Sequence, residues 1–264
     1  MMANTYWHKQ TAGTPLFPEL SWSRPQNKAH AGKLLIIGGN AYGFAAPAEA
    51  YQATLAAGVG SIRILLPTAV KKIAGSLLPG VEYAPSTPSG SFAKTSLADC
   101  LEHAVWADGV LLAGDVGHNS ETAILIESFL AKYQGQVTVT KDAAEYLIGL
   151  PKFALQRQDT LLVITMAQLQ KLARMASSTT AFTYDMDLVR LVDALHDFTS
   201  HHAASVIVKH LDRVIVAVTG QISTTSLGDT VVWRVRTAAT AAVWWLQNPS
   251  KPFEAITTAV SPQE

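Results

Sequence analysis

The stretch Gly32-Lys33-Leu34-Leu35-Ile36-Ile37-Gly38-Gly39-Asn40, followed by the alanine-rich run from Ala45 to Gly60, decides the fold. An apolar run ends in two glycines and an asparagine, and a helix-forming run follows. That order is strand, tight turn, helix. Glycine permits positive φ and close backbone approach, and a helix start presents unsatisfied N–H groups, so such a turn can receive a phosphate or another anion. A second turn of this type is expected at Gly228-Asp229.

Outward from this unit, short apolar runs alternate with helical patterns. Strands are predicted at 33–38, 61–66, 109–113, 136–140 and 160–165, and helices near 44–57, 68–78, 94–105, 119–133 and 142–148. Such alternation implies βαβ units in a doubly wound, mostly parallel sheet. In 185–199 the residues Leu188, Leu191, Val192, Leu195 and Phe198 fall on one helical stripe, with Asp185 or Asp187 available as its cap. The β-rich runs 205–209 and 213–218, joined by His210-Leu211-Asp212, predict a hairpin.

Residues 1–31 are expected to form an irregular arm, interrupted by Pro15, Pro18 and Pro25 and fixed to the body by Leu16, Phe17, Leu20 and Trp22. The last long helix is expected to start at Asp229 or Thr230 and to run to Leu246. Its apolar faces make it a central element. No repeat or linker interrupts the chain, so residues 1–264 read as a single domain.

Composition narrows the class. Hydrophobic residues make up 48% and charged residues 15%, with 20 basic against 20 acidic side chains. A balanced charge without a basic tract points away from nucleic acid and anionic membranes. Cys100 is the only cysteine, which suits a reducing compartment. The amino-terminal residues Met1 to Lys9 are too polar for a signal peptide, and the run Thr230 to Leu246 carries Arg234 and Arg236 and falls short of a membrane span. A cytoplasmic location is expected.

Chemistry is concentrated near Thr224-Thr225-Ser226-Leu227-Gly228-Asp229-Thr230. Small residues and a carboxylate at the positive end of a buried helix could stabilise a transferring phosphoryl group, with Asp229 accepting the proton of an attacking hydroxyl. The alternative is that Asp229 caps a helix. His196, His201, His202 and His210 lie close in sequence but match no zinc spacing, so they read as solvated side chains and no metal site is expected. His118-Asn119-Ser120-Glu121 reads as a helix cap, and Trp244 and Trp245 as core or interface residues.

In order along the chain, several segments resemble the NAD(P)H-hydrate dehydratases, a ribokinase-like family. These are Arg24-Pro25, Lys33 to Asn40 with Ala41-Tyr42-Gly43-Phe44-Ala45-Ala46, Ala56-Ala57-Gly58-Val59-Gly60, Ala107 to Leu112, Val206-Ile207-Val208-Lys209 and Ser226-Leu227-Gly228-Asp229. The resemblance implies a three-layer α/β/α ribokinase-like fold with a mostly parallel central sheet. It also implies an ADP- or ATP-dependent lyase, with magnesium as a further cofactor, that phosphorylates hydrated NAD(P)H and then eliminates phosphate. Asp229 would be the catalytic base, and Ser226, Leu227 and Gly228 would form the anion hole. Lys209, Gly117 and Gly228 would contact the adenine nucleotide, and Gly38, Gly39, Asn40, Tyr42 and Gly43 the hydrated substrate. A homo-oligomer is compatible with the apolar composition.

Four departures from the family pattern bear on activity. A Gly-Pro-Gly-Leu-Gly turn reads Ala113-Gly114-Asp115-Val116-Gly117, and an Asp-Ala-Asp segment reads Thr140-Lys141-Asp142. A Thr-Pro-His-x-Gly-Glu segment is shortened to Thr165-Met166-Ala167-Gln168, and Ser226-Leu227 stands in place of Gly-Thr. Asp115 in a glycine turn would repel a nucleotide, so it either points away or marks a lost site. The rival readings are a degenerate homologue that binds a nucleotide or another ligand without turnover, and a small-molecule kinase whose product keeps the phosphate.

Overall fold

A computed structural model describes residues 5–11, 13–75, 77–179, 181–226 and 233–261. Ten strands form one sheet: β1 (Trp7–Gln10), β2 (Lys33–Gly38), β3 (Ser61–Pro67), β4 (Val81–Ala84), β5 (Gly109–Gly114), β6 (Gln136–Thr140), β7 (Thr160–Ile164), β8 (Ser205–His210), β9 (Arg213–Val218) and β10 (Gln221–Ser226). Their order is β1-β10-β9-β8-β7-β6-β5-β2-β3-β4. Strand β9 runs antiparallel to β8 and β10, and the other pairs are parallel.

The central strands are apolar on both faces because helices cover both. Along β2, Leu35 and Ile37 point into one core and Leu34 and Ile36 into the other, following the period of two. The first core is closed by α4 (Leu97–Trp106), α5 (Ser120–Lys132), α6 (Ala143–Ile148), α7 (Pro151–Gln156), α8 (Met166–Met175) and α9 (Leu188–His201). The second is closed by α1 (Pro18–Trp22), α2 (Ala45–Ala56), α3 (Lys71–Ala74), α10 (Val235–Gln247) and α11 (Pro252–Ala259). This is the predicted three-layer arrangement. Helix α10 packs on α2, α11, β5 and β6, with Trp244 wholly buried, so it is central as expected. Among the described residues, no helix is long and apolar enough to cross a membrane.

Several boundaries differ from the sequence reading. The amino-terminal arm is regular in two places: β1 pairs in parallel with β10, and α1 starts at Pro18, whose fixed φ suits a first helical position. Leu20 is buried, but Trp22 is 82% exposed and does not fix the arm. Gln10 does so instead. Its Nε2 donates to Thr225 Oγ1 at 3.0 Å and to the Thr257 carbonyl at 2.9 Å, beneath the burial that makes these bonds valuable. The predicted helix 68–78 is only a 3₁₀ turn (Thr68–Val70) and the single turn α3. The described part of the last long helix begins at Val235, because Arg234 takes φ 82° and Trp233 is not helical. A continuous helix from 229 or 230 is therefore corrected. Strands β4 and β10 and helices α7, α8 and α11 are additional to the predicted set.

Candidate functional site

The strand order reverses between β2 and β5: the chain builds outward through β3 and β4 on one side and through β6, β7 and β8 on the other. In open α/β sheets, ligands bind outside the carboxyl ends of the strands at such a switch point. Here that crevice is formed by Gly38-Gly39-Asn40 after β2 and Gly114-Asp115 after β5. A register shift at Ile37/Gly38 marks the spot. The backbones touch: a Cβ added to Gly38 would lie 2.5 Å from the Gly114 carbonyl oxygen, which explains the glycine.

Five N–H groups of the turn, Gly39 to Gly43, are bonded within the protein. Gly39 N–H donates to the Gly114 carbonyl at 3.0 Å, and Asn40 and Gly43 exchange two backbone bonds at 2.9 and 3.0 Å. Ala41 N–H donates to the Gly90 carbonyl, and Tyr42 N–H to Asn40 Oδ1 at 2.7 Å. Asn40 Nδ2 then donates to the Asp115 carbonyl at 2.7 Å, tying the two strand ends together. The Tyr42 ring projects into solvent, 92% exposed.

Asp115 is bonded on both carboxylate oxygens. Its Oδ2 accepts the N–H of Ala46 in the first turn of α2 at 2.7 Å, and its Oδ1 meets Lys141 Nζ at 2.6 Å. A carboxylate at a helix start interacts favourably with the helix dipole. Asp115 and Lys141 have φ values of 56° and 54°, a left-handed conformation uncommon outside glycine that this bonding holds in place. Gly117 N–H donates to Asp142 Oδ2 at 2.9 Å, so it too is engaged. Asp142 Oδ1 is buried, with no hydrogen-bond partner among the described residues. Tyr146 completes the loop, its hydroxyl donating to the Gly117 carbonyl at 2.5 Å and accepting from Asn119 N–H at 3.0 Å. Burial pushes that phenol up.

Next along the same edge, Thr165 and Gln168 form a capping box at the start of α8. Gln168 Nε2 also donates to the Lys141 carbonyl and to Glu145 Oε1, both at 2.9 Å. Burial acts to raise the Glu145 carboxyl, but hydrogen bonds from Lys171 and Gln168 and the Lys171 charge hold it below the usual carboxylate range. Thr140 is buried, its hydroxyl donating to the Val163 carbonyl.

Lys209 lies at the end of β8 opposite Val214, as the hairpin prediction requires. With Thr165, Met166, Tyr184, His210 and Trp233 it lines a cavity of about 310 Å³, within the size range of small-ligand sites. Ser226 ends β10, its hydroxyl donating to Asp212 Oδ2 at 3.4 Å beside the same hairpin. Leu227, Gly228 and Asp229 lie outside the described residues. The structure thus brings Gly38, Gly39, Asn40, Gly43 and Gly117 together in the crevice and puts Lys209 in a separate cavity. From β2 to β8 is four strand spacings, ~19 Å at ~4.8 Å each.

Among the described residues, no group of three or more His, Cys, Asp or Glu side chains could hold a metal. Asn119 and Glu121 are used structurally: Asn119 caps α5, and Glu121 Oε2 accepts from Lys94 N–H. The histidines are not uniformly solvated. His210 is buried, and His196 stacks on Tyr6 at 3.7 Å and bonds the Gly220 carbonyl.

Sequence reasoning missed Lys141, Tyr146, Tyr184 and Trp233. For Lys141 a signal existed: Asp115 and Lys141 are departures of opposite charge just beyond the ends of adjacent strands. The other three carry none, because only the packing of distant segments gives them their places.

No protein-family model matches the sequence. A bifunctional NAD(P)H-hydrate repair enzyme of Methanocaldococcus jannaschii is 29% identical over 125 residues. That match covers 46% of this chain and 24% of the length of that enzyme. The structure superposes on a ribokinase-like superfamily protein of Enterococcus faecalis with a TM-score of 0.73 and 14% identity, covering 99% of this chain and 87% of that one. An ADP/ATP-dependent NAD(P)H-hydrate dehydratase of Bacillus subtilis, co-crystallised with ATP and Mg²⁺, gives a TM-score of 0.64 and 14% identity, with coverage of 94% and 87%. Strand order, the two cores and these superpositions together establish that the chain has the ribokinase-like α/β/α fold.

Proposed function

We propose that the protein binds an adenine nucleotide in the Lys209 cavity and acts on hydrated NAD(P)H as a nucleotide-dependent dehydratase. The observation that carries this reading is the meeting of Lys209, Thr165 and Trp233 around one cavity on the ligand-binding edge of the sheet. The hairpin beside it also receives Ser226, where the Asp229 segment begins. The residues fit a nucleotide: the Lys209 ammonium supplies a point charge for phosphate, and Tyr184 and Trp233 supply flat apolar surface for a base. Magnesium would be carried on the nucleotide phosphates, with few protein ligands, as is usual for this ion.

In this reading Asp229 removes the proton from the substrate hydroxyl, whose oxygen forms a bond to the terminal phosphorus of ATP or ADP while the bridging P–O bond breaks. The C–O bond of the phosphorylated hydrate then breaks with loss of phosphate, and loss of the neighbouring proton restores the ring double bond. Backbone N–H groups of 226–229 and Lys209 would stabilise the phosphoryl oxygens. A single domain over 1–264 and a cytoplasmic location accompany this proposal.

The test is turnover of hydrated NADH with ADP or ATP, followed by the return of nicotinamide absorbance. Recovery that disappears in Asp229→Asn supports the reading. No recovery from folded protein, beside an active control enzyme, overturns it. A second reading, ligand binding without turnover, is favoured by the Asp115–Lys141 pair that occupies the crevice. It predicts saturable nucleotide binding with no product.

A further inference from the structure

We infer that Asp115 is a specificity-determining residue: its carboxylate fills the anion position at the start of α2, so the switch-point crevice accepts an uncharged group and excludes phosphate. The inference rests on the dehydratase reading and deepens it: the phosphates of both ligands stay out of the crevice, which takes an uncharged part of the substrate away from the hydroxyl that is phosphorylated.

Seven backbone donors around the crevice are used. Five successive N–H groups, Gly39 to Gly43, have partners within the protein, and the Ala46 N–H belongs to Asp115. Pro47 stands in the first turn of α2 and has no N–H to give. Gly117 N–H on the facing loop is held by Asp142. Lys141, a cation at the crevice, is bound to Asp115 at 2.6 Å. Asp115, Asp142 and Lys141 leave one net negative charge where a phosphate would have to sit. An incoming anion would therefore meet like charge and find these seven N–H groups already bonded. A neutral group meets neither penalty.

The test is isothermal titration with inorganic pyrophosphate, run in a Lys209→Met background so that the hairpin cavity does not contribute. That background should show no saturable binding attributable to the crevice. Adding Asp115→Gly should raise pyrophosphate affinity at least tenfold, by freeing the Ala46 N–H and the Lys141 ammonium, and a further Lys141→Met should abolish the gain. Glycine suits the φ of 56° at this position. If circular dichroism shows that Asp115→Gly is unfolded, Asp115→Asn, which keeps an oxygen for the Ala46 N–H, must give a several-fold gain alone. Two results overturn the inference: pyrophosphate binding in the Lys209→Met background that Lys141→Met weakens, or no gain in a folded Asp115 variant. Neither readout needs turnover, so failure here and failure of the dehydratase reading are separate outcomes.

Discussion

Replacing Asp115 should destabilise the protein in an order set by three separable effects. The bond from Ala46 N–H is a helix-start interaction, and losing such a cap costs about 1 kcal/mol. The contact with Lys141 is a charge-assisted hydrogen bond with side chains 20% and 29% exposed, and losing it costs about 2 kcal/mol. The positive φ opposes these, since a left-handed conformation costs an ordinary L-residue about 1 kcal/mol that glycine does not incur. Asp115→Ala should therefore lose about 3 kcal/mol, having neither bond and keeping the backbone cost. Asp115→Gly should lose about 2 kcal/mol, and Asp115→Asn, which keeps the cap and loses the charge, also about 2 kcal/mol. Urea midpoints at constant slope would measure the series. Alanine at least as stable as glycine would refute the backbone argument. All three variants within about 0.5 kcal/mol of the natural protein would refute the claim that this carboxylate is bonded at all.

Lys209→Met should weaken ADP and ATP binding about 10- to 100-fold by removing a charge-assisted contact, read by calorimetry. Unchanged affinity would remove the hairpin cavity from the proposal. Gly38→Ala places a methyl group 2.5 Å from the Gly114 carbonyl oxygen and 2.8 Å from Pro47 Cγ, so thermal denaturation should show a loss of about 1–3 kcal/mol. Burial pushes the Cys100 thiol from its ordinary value of 9.0 up to about 12, with the Asp99 charge adding to the rise. The folded state therefore keeps a proton that the unfolded chain gives up, and stability should fall across that window by at most about 1.4 kcal/mol per pH unit. The melting temperature of Cys100→Ala should decline less steeply there, and an identical slope would show that the thiol does not contribute.

The fold was legible where periodicity was strong. The apolar runs of β2, β3, β5, β6, β7, β8 and β9 announce strands buried on both faces, and the stripe Leu188 to Phe198 announces α9, with Asp187 capping it through Arg190 N–H. Strand β10, Gln221–Ser226, was not legible, because its polar residues are buried by pairing with distant β1 and by side-chain bonds such as Ser223 to Thr257. The crevice was half legible. Gly38-Gly39 marks the turn, but whether its N–H groups are available depends on Gly90 and Gly114, far away in sequence.

Asp115 and Lys141 also change how the altered motif should be judged. Taken singly, each departure looks like damage: a carboxylate set in a phosphate turn, and a long cation in place of a small residue at a left-handed position. Together they make a 2.6 Å pair that closes the start of α2 and leaves Asp142 to hold Gly117. An unpaired carboxylate at that depth would be costly, and so would an unpaired ammonium. The pairing makes both tolerable without an external anion, so this crevice needs no phosphate to be stable. The Ala46 N–H and the Lys141 ammonium are both taken by Asp115, which is the arrangement expected where the charged part of a ligand is held elsewhere on the same edge.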